Sequence, residues 1–150
     1  MRNQSKLLSF CFAGKNDNYG GRFVQRLANS INYLARNASK LGKLDQIEVV
    51  ISDWGSITPL SEVLPLSEQG ANISRFFHVP LEIAKHYSHN ETEFHGAMSI
   101  NVALRRACGN YISCGSADIL ITEYSLSQLL KLISGELSTF FNSEVSYMGI

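Results

Sequence analysis

The sequence predicts an α/β domain of three layers, α/β/α, around a mostly parallel sheet. Two observations carry this expectation. Short apolar runs bounded by polar or Gly-rich segments alternate with stretches whose apolar residues fall at helical spacing, giving the order β-α-β-α-β-α-β-α. The apolar runs are also continuous rather than alternating in polarity, as strands covered on both faces are. No repeat, low-complexity stretch or linker divides the 150 residues, so residues 1–150 read as a single domain. A chain of this length buries roughly 68–70% of its unfolded surface on folding.

The first strand is Lys6–Ala13, a continuous apolar run. Arg2 and Lys6 before Leu7–Gly14 give it the outline of a very short signal peptide, but the apolar stretch is short and Ala13-Gly14 is a poor cleavage site, so a strand explains it better. Gly14–Gly21 (GKNDNYGG) is a polar loop. Arg22–Leu41 is a helix with Phe23, Leu27, Ile31, Leu34, Ala35 and Ala38 on one face, and Gly42 is placed to end it in the left-handed conformation. Ile47–Ser52 (IEVVIS) is the second buried strand, closed by Asp53-Trp54-Gly55-Ser56. Thr58-Pro59 opens a short helical piece over Ser61–Leu66. Asn72–Val79 is a third strand stopped by Pro80, and Leu81–Thr92 a loop with some helix. Phe94–Cys108 is a helix ended by Gly109, and Tyr111–Gly115 a fourth, buried strand. Leu126, Leu129, Leu130 and Ile133 mark a last amphipathic helix stopped by Gly135, and Phe140–Met148 has the composition of one more strand.

Lys plus Arg and Asp plus Glu each number 13, so the net charge of zero offers no bulk attraction to nucleic acid or an anionic membrane. No run approaches the ~18 apolar residues of a membrane span. The three cysteines form no CxxC pair. Cys11 and Cys114 lie in apolar runs and read as buried free thiols of a reducing compartment, which places the chain in the cytoplasm.

A parallel sheet collects its strand C-termini on one edge, and ligands bind there. That edge is expected to gather Gly14–Gly21, Asp53–Ser56 and Ser116–Asp118. Asp53 and Asp118 are the acids best placed to work: a carboxylate there can accept from a nucleobase or ribose, or hold a divalent cation that neutralises a diphosphate. The competing reading is helix capping or a turn, which Asp serves often. Lys15, Asn16 and Asp17 follow the first strand without forming a dinucleotide fingerprint or a P-loop. Trp54 either stacks on a flat ligand or packs beside the sheet edge. Arg105 and Arg106 close a helix and either neutralise phosphate or face solvent. His86, His89 and His95 with Glu91 and Glu93 fit no common zinc spacing, and no nucleophile elbow is present.

As a set, these segments resemble the N-terminal, nucleotide-sugar-binding half of the GT-A glycosyltransferases, the family-2-like group. Ile47–Ser56 (IEVVISDWGS) is similar to the second-strand motif ending in Asp-Asp-Gly-Ser. Gly96, Asn101, Ala107, Gly109, Tyr111 and Ile112 match the helix and strand before the family's Asp-x-Asp, and Ser116-Ala117-Asp118 stands in its place. Gly14–Gly21 and the segment from Val79-Pro80 to Leu120 look closer to a branch with an Arg-Asn-Asp-x-x-Gly-Gly loop, Glu-Trp after strand two, and Asn-x-Asp at the metal position.

The resemblance, over residues 7–122, implies a Rossmann-like sheet, a nucleoside-diphosphate sugar donor and glycosyl transfer to an acceptor hydroxyl. Asn16 and Asp17 would line the nucleoside pocket, Asp53 would contact base or ribose, Trp54 fits the branch's Glu-Trp, and Ser116 would stand at the metal and ribose site beside Asp118. Asp118 would hold Mg²⁺ or Mn²⁺. Ser116 removes one motif carboxylate, and Lys15 replaces the branch's Arg with a point charge. The chain after Asp118 is shorter than the family's acceptor-binding half. Glu123 and Glu136 lie in no recognised motif, so no catalytic base is named. The alternative expectation is a non-catalytic GT-A-like binding or assembly domain, working as a homo-oligomer or with a partner subunit.

Overall fold

The structure, a computed structural model, describes residues 6–87 and 94–136. Its centre is β1 (Leu8–Gly14), where the side chains alternate between two covered faces. Leu8, Phe10 and Phe12 join one apolar cluster, whereas Cys11 belongs to a second, smaller one on the opposite side. β2 (Ile47–Trp54) lies parallel to β1, from Leu8 against Ile47 to Gly14 against Asp53. β3 (Ser74–Val79) lies parallel to β2, and β4 (Tyr111–Cys114) parallel to β1 on its other side. The sheet order is β3-β2-β1-β4, all parallel, a Rossmann-like α/β arrangement.

α1 (Phe23–Lys40) covers one face, burying Phe23, Leu27, Ile31, Leu34, Ala35 and Ala38 as its spacing predicts. It ends where Gly42 turns to φ 64° and the Lys43 N–H reaches the Ala38 carbonyl at 2.9 Å. α2 (Leu60–Val63), α3 (Glu68–Ile73) and α6 (Glu123–Ile133) add Leu60, Ile73, Leu126 and Leu130 to that layer. α5 (Gly96–Leu104) packs on the opposite face, with Ala103 buried against Cys11 and Val50. Helices on both faces make the three layers. No helix among the described residues is long and apolar enough to cross a membrane.

Several boundaries differ from expectation. The third strand starts at Ser74 rather than Asn72, because Ser67 caps α3 by accepting the Gly70 N–H at 3.1 Å and holds residues 68–73 helical. Leu81–His86 forms α4, the helical part of a segment read mainly as loop. α5 stops at Leu104 rather than Cys108. The next amides have other partners: Cys108 N–H donates to Glu48 Oε1 at 2.5 Å, and Gly109 N–H to Ser9 Oγ at 2.8 Å.

β4 is not the buried strand expected. It pairs only with β1 among the described residues, so Tyr111 and Ile112 are 47% and 48% exposed. Cys114 is exposed for the same reason, correcting its reading as a buried thiol. The strand expected at Phe140–Met148 lies outside the described residues, as do His89, Glu91 and Glu93.

Candidate functional site

The chain runs outward from β1 to β2 and β3, then returns to the other side of β1 as β4. The topological switch therefore falls between β1 and β4, where an open parallel sheet leaves a crevice beyond its strand ends. A cleft of about 680 Å³ occupies that position. Ala13 and Gly14 from the end of β1 and Cys114 and Gly115 from the end of β4 form its floor. Lys15, Asp17 and Tyr19 from the loop after β1, Phe23 and Arg26 from α1, and Ser116 and Asp118 after β4 form its walls.

Four residues singled out in the sequence therefore meet here: Lys15, Asp17, Ser116 and Asp118. Asp17 is exposed and folds back on its own loop, accepting the Tyr19 N–H at 3.0 Å. Ser116 Oγ accepts the Asp118 N–H at 3.4 Å. This turn is held against α1, where Ser30 Oγ donates to the Ile119 carbonyl at 2.8 Å. Lys15 is buried at the cleft.

The sequence reading missed Arg26. Its Nε donates to the Gly21 carbonyl at 3.0 Å and its Nη2 to the Tyr19 carbonyl at 2.6 Å, while Nη1 forms an ion pair with Asp118. Gly20 lies directly over the guanidinium: its φ is 63°, and a Cβ there would come within 2.9 Å of Nη2. One cation thus ties the loop after β1 to the loop after β4. The available signal was Arg26's place one turn into the helix that follows a Gly-rich loop, on the side facing the strand ends.

Asn16, Asp53 and Trp54 form a separate group at the end of β2. Asp53 is 1% exposed. Its carboxylate accepts from Ser56 Oγ and from the Leu60 N–H at 2.8 Å, and His78 Nδ1 lies 3.1 Å away. Asn16 links this group to the loop after β1: its N–H donates to Ser56 Oγ at 2.8 Å and its Nδ2 to the Thr58 carbonyl at 3.1 Å. Trp54 is 3% exposed and lines a second cavity of about 540 Å³ with Phe77, His78, Tyr87, Met98 and Arg106. Its Nε1 has no hydrogen-bond partner among the described residues. Arg106 is exposed, as its solvent-facing reading expects, and its guanidinium lies 5.0 Å from the centre of the Phe77 ring. A smaller hollow of about 180 Å³ between Leu41 and Lys131 lies away from the strand C-termini.

The donor set at Asp118 does not fit a divalent cation held by the protein. Mg²⁺ and Mn²⁺ take several hard oxygen ligands. Asp118 offers one carboxylate, already compensated by Arg26, and Ser116 offers a neutral hydroxyl. No group of three or more His, Cys, Asp and Glu side chains among the described residues is placed to hold a metal. His95 instead caps α5, its Nδ1 accepting the Met98 N–H at 3.3 Å, and His86 packs edge-on to Tyr87.

The thiols differ sharply in exposure. Cys11 is fully buried, and burial, followed by the nearby Cys114 and Glu48 charges, pushes its pKa up to about 11. Brief alkylation at pH 7.5 is therefore expected to label Cys108 and Cys114 in the native protein and Cys11 only after denaturation. Counting the labels by mass spectrometry checks this, and native labelling of Cys11 would contradict its burial.

No protein-family model matches this chain, and no curated protein matches it. The fold and the cleft together define a class: a Rossmann-like α/β fold with a ligand-sized cleft at its topological switch point.

Proposed function

We propose that the cleft between β1 and β4 binds a nucleoside-diphosphate sugar. The chain is then a GT-A-like glycosyltransferase, or the donor-binding portion of one, moving a sugar to an acceptor hydroxyl. The observation that carries this reading is the cleft's position: it lies at the strand C-termini on the switch point, where α/β sheets take nucleotides. Its volume of about 680 Å³ suits a nucleotide.

The residue chemistry supports the same ligand. Tyr19, Phe23 and Phe94 supply ring surface for a base, Asp17 a carboxylate for base or ribose donors, and Lys15 and Arg26 positive charge for phosphates. In glycosyl transfer the bond from the anomeric carbon to the diphosphate oxygen breaks as the acceptor oxygen bonds to that carbon. Stabilising the departing diphosphate is the electrostatic work the site must do. Asp53 contributes by position: its three partners fix the loop after β2, and through Asn16 that loop fixes the loop bearing Lys15 and Asp17.

Calorimetric titration with UDP, GDP and CDP tests the reading. One of them is expected to bind, and Ser116→Trp, an exposed position whose ring would fill the cleft, is expected to abolish binding without lowering the melting temperature. Undiminished binding to that variant would place the ligand elsewhere.

The half-exposed apolar residues Tyr111 and Ile112 of β4, a strand that pairs only with β1 among the described residues, favour a second reading as a binding or assembly domain in which this edge meets a second copy or a partner subunit. Donor hydrolysis or sugar transfer by the purified chain, lost in Ser116→Trp, would reject a purely non-catalytic role.

A further inference from the structure

We infer that the cleft takes the diphosphate of its ligand without a divalent cation, with the Arg26 guanidinium in the place where the resembling family uses a metal. The inference rests on the nucleotide reading above and departs from the metal that the resemblance implies.

Three features carry it. First, Arg26 is held for this task. Nε and Nη2 are fixed by the Gly21 and Tyr19 carbonyls, so the plane of the guanidinium is set before any ligand arrives. A pre-set planar fork recognises phosphate oxygens better than a flexible ammonium does. Second, the donors left for a ligand are Nη1 and the second hydrogen of Nη2, the end-on fork of the guanidinium, and Nη1 carries the ion pair to Asp118. The Asp118 side chain is 60% exposed, so when a phosphate takes its place the carboxylate returns to water. Ion pairs this exposed are weak, and the exchange is correspondingly cheap. Third, neither carboxylate of the cleft is set for a cation: Asp118 is compensated by Arg26 with only the neutral Ser116 beside it, and Asp17 is turned back on its own loop to the Tyr19 N–H. Lys15, at the same cleft, adds a second positive charge near the ligand.

In this arrangement Asp118 is a competitor for Arg26 rather than a metal ligand, and the two roles predict opposite results for one substitution. Removing the Asp118 charge frees Nη1 and leaves phosphate binding equal or tighter. If Asp118 held a metal, the same change would weaken binding.

The experiment is calorimetric titration of the full chain with UDP, GDP, CDP and inorganic pyrophosphate, first in EDTA and then in Mn²⁺. At least one probe is expected to bind in EDTA, and Mn²⁺ is expected to leave that affinity equal or weaken it, since the ion complexes the free diphosphate and is not needed to bridge it to the protein. Arg26→Ala is expected to weaken that binding by about tenfold or more, and Arg26→Lys by less, because the charge is kept and the fork lost. Asp118→Asn, at an exposed position, is expected to bind as well as the parent chain or better. Binding that needs Mn²⁺ and is lost in Asp118→Asn would overturn the inference while leaving the nucleotide site standing. If a folded chain binds none of the probes in either condition, both this inference and the proposed function fall.

Discussion

Glu48→Ala is expected to destabilise the fold by about 2–4 kcal/mol, the cost of stranding several donors around a buried carboxylate. Glu48 is 2% exposed and lies on β2 directly opposite Ser9 of β1. Its Oε1 accepts from Ser9 Oγ at 2.6 Å and from the Cys108 N–H at 2.5 Å, and its Oε2 from Arg75 Nη1 at 2.8 Å. One side chain thus joins β1, β2, β3 and the turn that leads into β4. Burial alone pushes the Glu48 carboxyl up, but the hydrogen bonds from Ser9, Cys108 and Arg75 outweigh it and hold its pKa below the ordinary value of 4.5. A carboxyl whose pKa is lower folded than unfolded contributes stability above its unfolded value and loses it as pH falls through the folded one. The parent chain should therefore lose stability progressively below about pH 4.5. In Glu48→Gln this part of the acid sensitivity should be missing. Urea midpoints of parent and variants from pH 3 to 7 measure both effects. Equal midpoints for Glu48→Ala and the parent at pH 7 would contradict the structural role given to Glu48.

The second large effect is expected at Gly109, by steric exclusion rather than charge. A Cβ on Gly109 would come within 2.6 Å of the Ser9 amide nitrogen and 2.9 Å of the Leu8 carbonyl carbon. These are backbone atoms of the central strand, so neither a rotamer change nor a small local shift relieves the contact. Gly109→Ala must push β4 away from β1 or bend the turn, at about 1–3 kcal/mol or more. The Gly109 N–H bond to Ser9 Oγ weakens with the same movement. Because β4 carries one side of the cleft, nucleotide affinity should fall together with the urea midpoint. Loss of neither would contradict the close approach of β4 to β1.

The helices and strands that build the core were legible because their patterns are local. Leu8–Gly14, Ile47–Trp54 and Phe23–Lys40 each carry a continuous apolar run or a helical stripe in their own residues. β4 misled because its apolar composition says nothing about which side of β1 it joins or what covers its outer edge. The early end of α5 was hidden because it depends on Glu48 and Ser9, which lie far away in sequence. The site divided in the same way. Loop composition at strand ends pointed to Asp17, Ser116 and Asp118, which meet at the cleft. Arg26 escaped because an arginine on a helix is ordinarily solvated. What distinguishes this one is its contact with Asp118, many residues away, and the backbone carbonyls on its other edge.

The central claim is that nucleotide binds between the ends of β1 and β4. Amide NMR of the ¹⁵N-labelled chain, titrated with the nucleotide that calorimetry selects, tests it most directly. Shifts are expected to concentrate at Lys15–Arg26 and Gly115–Asp118, with little change at Trp54, Phe77 and Met98 around the second cavity. Shifts confined to that second cavity, with the loops after β1 and β4 unmoved, would contradict the claim.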